Sequence, residues 1–543
     1  MLAISVSSTV LPAFSTIINT KNTLQSIIHV PVPFLVQNSH LGVSNFYTKT
    51  PTRLNVLLKT SDYSSSSTNL AETEKERSIP QVEQDEEEHE ITIQSPAAES
   101  QLAKYFWHEI HGQNDWVDLL NPMDRRLRSE LMRYGEMAQA CYDAFDYNPF
   151  SKYCGTCRYM RSEFFDSLGM SQLGYDVSRY LFAASNINLP NFFRNSASPC
   201  KVLSKHANWI GYVAVSNDET SRRIGRRDIT IAWRGTVTQL EWIEDIKDFL
   251  VPISSKIPCP DPTVKVQTGF FDLYTEKEED SKYCRLSARE QILSKVRRLL
   301  DKYADEEVSI TIKGHSLGAA LAILSAYDIV ETSLKELAAD RPVVPVCVFS
   351  FAGPRVGNVM FRERLESTLG LKVLRVVNVH DMVPKVPGFF FNERSPPMMM
   401  KYAKWLPWSY SHVGVELELD HINSPFLKQA VHDDPIRAHN LEGLLHLLDG
   451  YHGKNHKFEL ASGRDIALVN KASDFLEDEY LVPANWRQDE NKGMVRNKDG
   501  HWVQLERRVY DLYCHGAPDD DHVMHCLDLA SDDQYHGDAA AAA

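Results

Sequence analysis

The chain has 543 residues, of which 43% are hydrophobic and 10% aromatic, enough for a sizeable globular core. Its formal net charge of −15, with no extended basic stretch to offset it, excludes a typical nucleic-acid binder. Nine cysteines are scattered without a paired framework, which favours a reducing compartment. No apolar run reaches about 18 residues, so we expect peripheral membrane contact and no transmembrane helix.

The first 61 residues differ in composition from the rest of the chain. They contain no Asp or Glu, since the first acidic residue is Asp62, and they are rich in Ser, Thr and Asn with a few scattered bases. This composition is typical of a chloroplast transit peptide. A secretory signal is the second interpretation because residues 1–19 are rather apolar, but the basic start of such a signal is missing. A plain disordered tail is the third.

The composition also predicts where the folded part begins and ends. Residues 62–101 hold a serine run and an acidic cluster, EQDEEEHE, and cannot bury enough apolar surface to fold. We interpret them as a disordered linker. Residues 511–543 are expected to form a loose tail. One catalytic domain over residues 102–510 is left between them.

The central part of that domain alternates between strand and helix patterns. Residues 287–304 read as an amphipathic helix that opens with a Ser287-x-x-Glu290 capping box. A second helix, of small residues, is predicted from Leu317 to about Thr332. Near-continuous apolar runs, as expected of strands buried on both faces, occupy residues 229–233, 308–312, 343–351 and 373–379. This alternation of strands and helices along the chain predicts an α/β fold with a mostly parallel sheet covered by helices.

The strongest chemical signal is Gly314-His315-Ser316-Leu317-Gly318, which matches G-x-S-x-G between a predicted strand and a predicted helix. Such a turn is so sharp that the residues flanking the serine must lack bulk. It lifts the serine hydroxyl above the sheet at a helix N-terminus. We therefore predict Ser316 as a nucleophile and the Leu317 N–H as a donor to the oxyanion of a tetrahedral intermediate. The alternative is a chance pentapeptide in a turn.

A serine nucleophile needs a base and a residue that orients the base, and in this class of fold both follow the serine in the chain. Asp381 lies at the end of the predicted strand 373–379, on the same side of the sheet as Ser316, which favours a catalytic role over a loop-capping one. Its neighbour His380 is more simply structural. Spacing does not choose the base among the candidate histidines that follow, at positions 412, 421, 432, 439, 446 and 452.

Several motifs, in the same order, resemble those of the plant class 3 lipases, and most closely the chloroplast-targeted phospholipase A1 enzymes of the gamma subgroup. They are IAWRGT, EWIEDI, VQTGFFDLY, GHSLGAALA, FAGPRVGN, VVNVHDMVP, SHVG and AHNLEGLLHLLDGYH, within residues 105–508. One departure is Ala319, where GHSLGGA is common.

The resemblance implies an α/β-hydrolase fold, a Ser316–Asp381–His439 triad and a second oxyanion donor at the Thr236 N–H. It also implies phosphatidylcholine and plastid galactolipids as substrates, with preference for the sn-1 chain. No metal or other cofactor is needed for this chemistry. The alternatives are a triacylglycerol lipase, a soluble carboxylesterase, and a catalytically inactive lipid-binding protein on the same fold. Oligomeric state is not predicted.

Two apolar segments have two interpretations each. Residues 238–249 lie where related lipases carry a lid over the acyl site, although a core helix is the alternative. Residues 387–408 form either an acyl-chain or lipid-surface patch or part of the core.

Cysteine and histidine clusters offer two weaker signals. Cys154 and Cys157 have redox or zinc spacing without a second pair, and a structural role is favoured because the gamma-type relatives share this stretch. In the tail, five Cys and His residues imitate a metal site but lie in an acidic segment predicted to be loose, at positions 514, 515, 522, 525 and 526.

His439 and His446 are the two histidines that the helical pattern does not separate. Both lie in residues 438–448, which read as one helix, and a separation of seven residues puts both on one face. His439 is favoured because it lies at the start of the segment, beside a loop. His446 lies among leucines and is expected to be buried and bonded to backbone.

Overall fold

The fold was analysed in a computed structural model. It describes residues 106–147, 151, 154–184, 208–236, 249–281, 283–334, 343–388, 392–395, 398, 409–429, 435–487, 494–496 and 502–504. The predicted transit peptide (1–61), linker (62–101) and tail (511–543), with the Cys and His cluster of the tail, lie outside these residues.

A seven-stranded sheet forms the centre of the described domain, in the order β1-β2-β3-β6-β7-β8-β9. Strands β3, β6, β7, β8 and β9 pair in parallel, whereas β1 and β2 add an antiparallel edge. Two short antiparallel pairs, β4–β5 and β10–β11, lie outside this sheet. The strands are β1 (Tyr175–Phe182), β2 (Trp209–Ser216), β3 (Arg227–Trp233), β4 (Leu250–Pro252), β5 (Lys265–Gln267), β6 (Val308–His315), β7 (Val346–Phe351), β8 (Lys372–Asn378), β9 (Val415–Leu419), β10 (Met494–Arg496) and β11 (Trp502–Gln504).

The α-helices connect and cover these strands. They are α1 (Arg125–Asp143), α2 (Phe164–Ser167), α3 (Asp218–Ile224), α4 (Thr268–Thr275), α5 (Ala288–Lys302), α6 (Leu317–Asp328), α7 (Val359–Glu363), α8 (Pro435–Ala438) and α9 (Leu441–Gly450). Helices α6 and α7 each continue into a π-helical turn, at Ile329–Leu334 and Arg364–Thr368.

Helices α1 and α6 lie on opposite faces of the sheet. Side chains alternate between the two faces along a strand, and in β3 Trp233 donates from its indole nitrogen to Ser325 of α6 at 3.0 Å. Asp228, five residues earlier and therefore on the other face, accepts from Tyr134 of α1 at 2.8 Å. The sheet is thus buried on both faces, as its apolar strands predict.

A buried carboxylate fixes the α1 face of the sheet. Asp228 is fully buried and accepts hydrogen bonds from the hydroxyls of Tyr134, Tyr175, Ser309 and Thr311 at 2.6–2.9 Å. Burial works to raise its pKa, but nearby cations, with Arg226 foremost, and these hydrogen bonds hold the pKa of this carboxyl well below its usual range. The charge is therefore retained and its oxygens are satisfied.

The predicted α/β-hydrolase class is confirmed, and its strands and helices follow the sequence pattern closely. The capping box of α5 is present, with Ser287 and Glu290 bonded reciprocally to each other's backbone. Strand β6 extends through His315, three residues beyond the predicted end. The segment 438–448 is not one helix, because α8 ends at Ala438 and α9 begins at Leu441.

One helical stretch among the described residues, Leu317–Leu334, has the length and apolar composition to cross a membrane. It is 83% buried inside the protein. It packs against β3, β6 and β7, so its apolar character serves the core of the domain.

Candidate active site

Ser316 occupies a sharp turn between β6 and α6. Its φ of 59° and ψ of −126° lie in a region that residues with a side chain rarely adopt. A Cβ on Gly314 would lie 2.2 Å from the carbonyl oxygen of Gly318, and one on Gly318 would lie 2.4 Å from that of Trp233. The turn is therefore closed only with glycine at both positions, and it places the Ser316 side chain at the start of α6.

Asp381 and His439 are brought together by two loops on the same edge of the sheet. Asp381 follows β8 and is 1% exposed. Its Oδ2 forms a hydrogen bond with His439 Nδ1, at a distance of 2.7 Å. Its other oxygen accepts the Val383 N–H at 2.8 Å. His439 lies in the break between α8 and α9, and Asn378 of β8 donates to the carbonyl of the preceding Ala438 at 3.3 Å.

One side-chain atom of Ser316 and one of His439 have no hydrogen bond within the described part of the chain. Ser316 Oγ and His439 Nε2 are both buried, and neither makes one. Buried polar atoms are normally paired. Nucleophile–base contacts of free enzymes are often long and shorten when substrate binds. The two atoms therefore have the state expected of a nucleophile and a base before substrate arrives.

Thr236, the second predicted oxyanion donor, follows β3 and is partly exposed. The loop that carries it is held by Arg234, whose guanidinium donates to the carbonyls of Trp209 and Gly235 at 2.9 and 3.0 Å. The same group lies 3.7 Å from the centre of the Phe145 ring, and burial lowers the pKa of Arg234 to about 10. At the level of sequence this arginine is only part of the motif IAWRGT; a cation directly after a buried strand is the signal that could have indicated its role.

The other described histidines that follow Asp381 as candidate bases have partners away from Ser316 and Asp381. His446 is 3% exposed and its Nε2 lies 2.9 Å from Ser424 Oγ, so its partner is a side chain where a backbone group was expected. His412 contacts the carbonyl of Pro384 at 2.6 Å, and His452 that of Glu459 at 2.8 Å. His432 lies outside the described residues. Among the described candidates, His439 is the one bonded to Asp381.

His380, Asp420 and His421 are the one group in the described ranges whose ligand atoms lie close enough for a metal, within 4.8 Å of one another. His380 Nε2 is already 3.0 Å from Asp420 Oδ1, and that oxygen also accepts the Ile422 N–H at 3.0 Å. His421 is fully buried beside Asn378. These bonds connect the loop after β8 to the loop after β9, which is a structural role.

Cys154 and Cys157 are both buried. The sulfur of Cys157 lies 3.3 Å from the Tyr180 hydroxyl. The pair thus sits within the core, and the preference for a structural role stays a prediction.

The two apolar segments fall largely outside the described residues. Of the predicted lid, 238–249, only Phe249 is described, and it is 63% exposed. Of the segment 387–408, residues 387–388, 392–395 and 398 are described, and Met398 is 80% exposed.

Comparison with known proteins agrees with the motifs. Residues 230–391 match the family described as lipase (class 3). Phospholipase A1-Igamma2, chloroplastic, of Arabidopsis thaliana is 62% identical over 428 residues, which cover 78% of this chain and 80% of the relative. Phospholipase A1-Igamma1, chloroplastic, of the same plant is 60% identical over 430 residues, covering 78% and 82%. The chain belongs to the chloroplastic phospholipase A1-Igamma family of class 3 lipases. It is therefore a carboxylic ester hydrolase and a plastid protein, and the predicted resemblance is confirmed.

Solved structures show weaker similarity. Lipase II from Rhizopus niveus is 20% identical, covers 55% of this chain and 82% of its own, and has a TM-score of 0.33. A lipase from Rhizopus microsporus var. chinensis is 19% identical, with a TM-score of 0.34 and coverage of 56% and 78%. The fold assignment rests on the sheet itself and on the family.

Proposed function

We propose that this protein releases fatty acid, preferentially the sn-1 chain, from phosphatidylcholine and plastid galactolipids. Ser316, His439 and Asp381 would form its catalytic triad. The observation that carries the proposal is the 2.7 Å hydrogen bond between His439 Nδ1 and Asp381 Oδ2 at the sheet edge where Ser316 stands on its turn. The Arabidopsis relatives are named phospholipase A1, which supports a phospholipid as substrate. The galactolipids and the sn-1 preference follow from the family resemblance.

In the first half-reaction, His439 Nε2 removes the Ser316 hydroxyl proton while Oγ bonds to the acyl carbonyl carbon. The carbonyl oxygen becomes an oxyanion, which accepts from the backbone N–H groups of Leu317 and Thr236. The bond between the acyl carbon and the glycerol oxygen then breaks, and His439 gives its proton to that oxygen. Water, deprotonated by His439, hydrolyses the acyl-enzyme and releases the fatty acid.

Asp381 keeps the proton of His439 on Nδ1, so that Nε2 is free to act as the base. Its carboxylate stabilises the imidazolium that forms during each half-reaction. The Val383 N–H on its second oxygen leaves Oδ2 for the histidine. The Asp381 side chain is fully buried and that of His439 is 11% exposed, so few water molecules screen this interaction.

Arg234 supports the second oxyanion donor. By donating to the Gly235 carbonyl it fixes the peptide unit immediately before Thr236. An oxyanion donor works because it is already in place when charge develops, and loss of one typically lowers the rate by about 10²–10³-fold. The guanidinium thus connects this loop to β2 through the Trp209 carbonyl.

Peripheral contact with a lipid surface is part of the same proposal. Met382, directly after Asp381 in the chain, is 38% exposed, and Phe249 at the end of the predicted lid is 63% exposed. Exposed apolar side chains at or beside a lipase site favour contact with acyl chains or a bilayer.

The test compares four substrates: phosphatidylcholine, monogalactosyldiacylglycerol, triacylglycerol and a soluble p-nitrophenyl ester. The two polar lipids carry different fatty acids at sn-1 and sn-2, so the acid released identifies the position. Ser316→Ala should abolish turnover of all substrates with the fold retained, because its nucleophile is gone. Ser294→Ala, on the exposed side of α5, is the matched control and should behave as wild type.

Each outcome has a distinct meaning. Turnover by Ser316→Ala above a few per cent of wild type would show that the nucleophile is misassigned. Preference for triacylglycerol, or for the soluble ester alone, would replace the proposed substrates with those of a lipase or carboxylesterase. A wild-type protein that binds lipid vesicles without turnover would be the inactive lipid-binding form of the fold.

A further inference from the structure

His315, immediately before Ser316, has no part in the mechanism above, yet both nitrogens of its ring are bonded. It is 6% exposed, at the end of β6. Its Nδ1 lies 2.8 Å from the hydroxyl of Tyr142, on α1. Its Nε2 lies 3.0 Å from the backbone carbonyl oxygen of His439. One side chain therefore links α1 to the proposed catalytic base.

The two partners determine which nitrogen carries the proton. A carbonyl oxygen only accepts, so Nε2 of His315 must donate to His439. In a neutral ring Nδ1 is then an acceptor, and the Tyr142 hydroxyl donates to it. Burial, together with the neighbouring His439, lowers the pKa of His315 well below its ordinary value, so the ring stays neutral.

His315 contacts the His439 ring as well as its backbone. The two ring centres are 4.6 Å apart with an angle of 31° between the planes. Asp381 holds His439 by Nδ1, and His315 holds its carbonyl and one face of its ring. These contacts leave His439 Nε2 available to form a hydrogen bond with Ser316 Oγ.

Tyr142 also contacts the loop of the second oxyanion donor. The Gly235 N–H approaches its hydroxyl oxygen. A Cβ added to Gly235 would lie 2.1 Å from that oxygen, 2.5 Å from the His315 carbonyl and 3.2 Å from Ser316 Cβ. The hydroxyl of Tyr142 thus sits where the oxyanion loop, the strand of the nucleophile and the base converge.

We propose that Tyr142 and His315 are positioning residues, which hold the His439 ring and the Gly235–Thr236 loop in register with Ser316. The proposal rests on the triad assigned above. Neither residue forms a hydrogen bond with the reacting atoms, Ser316 Oγ and His439 Nε2. Their removal should lower kcat through misplacement of the base and leave substrate binding, and hence KM, nearly unchanged.

Tyr142→Phe removes one oxygen and keeps the ring. We expect kcat on phosphatidylcholine to fall about 10-fold, and His315→Leu, which removes both ring contacts, to lower it about 10²-fold, within the usual contribution of a placed base. His315→Gln can still donate to the His439 carbonyl and should recover about 10-fold of that loss. The rate at which a fluorophosphonate labels Ser316 should fall in parallel, since it reports activation of the nucleophile without lipid binding.

Tyr134→Phe is the matched control, because it makes the same change on the same helix and also removes a buried hydrogen bond, to Asp228. It should lower the melting temperature and leave kcat per folded molecule and the labelling rate unchanged. If Tyr142→Phe behaves like Tyr134→Phe, the positioning role is wrong. If His315→Leu does not fold, Tyr142→Phe alone tests the proposal. Full activity of Ser316→Ala would refute the triad itself, which is a separate result.

Discussion

His446→Ala separates a structural histidine from the proposed base, and its effect should depend on pH in a defined way. His446 is 3% exposed, bonded to Ser424 and packed between the rings of Phe426 and Phe458. Burial lowers its pKa from 6.5 to about 4. Above pH 6.5 the ring is neutral in both the folded and unfolded chain. Its removal then costs a cavity and an unpaired Ser424 hydroxyl, together about 3 kcal/mol.

Below pH 6.5 the unfolded wild-type chain binds a proton at His446 that the folded chain does not. Stability from this group is therefore lost as pH falls from 6.5 towards 4. pH 5 lies 1.5 units below 6.5. The free energy of unfolding of the wild type is therefore lower there by about 2 kcal/mol, at ~1.36 kcal/mol per unit. The alanine variant has no such group. The difference in unfolding free energy between the two proteins should thus shrink from about 3 kcal/mol at pH 8 to about 1 kcal/mol at pH 5.

The assay is urea unfolding followed by tryptophan fluorescence at the two pH values, with fatty acid release measured on the folded fraction. His421, whose pKa is likewise lowered to about 4 by burial and by His380, contributes equally to both proteins and cancels in the difference. His439→Ala is the companion variant, and it should lose several orders of magnitude in kcat with little change in stability. A difference that stays constant or grows at pH 5 would refute the reasoning about burial. Loss of kcat in folded His446→Ala would refute the choice of base.

Two other perturbations test the core and the absence of a metal requirement. Asp228→Ala leaves four buried hydroxyls and the Arg226 guanidinium without their carboxylate. We therefore expect the free energy of unfolding to fall by about 3–5 kcal/mol, measured by the same urea assay. A variant within 1 kcal/mol of wild type would contradict this view of the buried network. Incubation with EDTA should leave fatty acid release unchanged, whereas a loss restored by zinc or calcium would make the His380, Asp420 and His421 group a metal site.

The inner parallel strands of the sheet are predictable from sequence because they are buried on both faces. Strands β6, β7 and β8 read as continuous apolar runs, and the capping box marks the start of α5. The edge strands β1 and β9 carry polar residues among apolar ones and have no such run, so the pattern did not indicate them. Helix α1 was missed as well, although it supplies the partner of His315.

Within the site, the positions of Ser316 and Asp381 follow from strand ends, whereas the choice of His439 needed the family resemblance. Periodicity put His439 and His446 on one helical face. The structure interrupts the helix between Ala438 and Leu441, with Asn440 capping α9 through the Glu442 N–H. Tyr142 could not be found from the sequence, since its contact with His315 joins residues that are distant in the chain. Arg234 was missed because its contacts run through backbone groups, and its position after a buried strand was the one available signal.

Three glycines, at positions 235, 314 and 318, have no room for even a methyl group, because a Cβ at each would lie within 2.5 Å of another atom. The backbone around the proposed nucleophile is therefore tightly packed, and we expect a substitution there to disturb the proposed catalytic turn before it alters lipid preference. We expect acyl-chain and headgroup preference to depend on side chains outside this backbone packing. An altered substrate range can accordingly be engineered around the nucleophile turn, with these three positions kept as glycine.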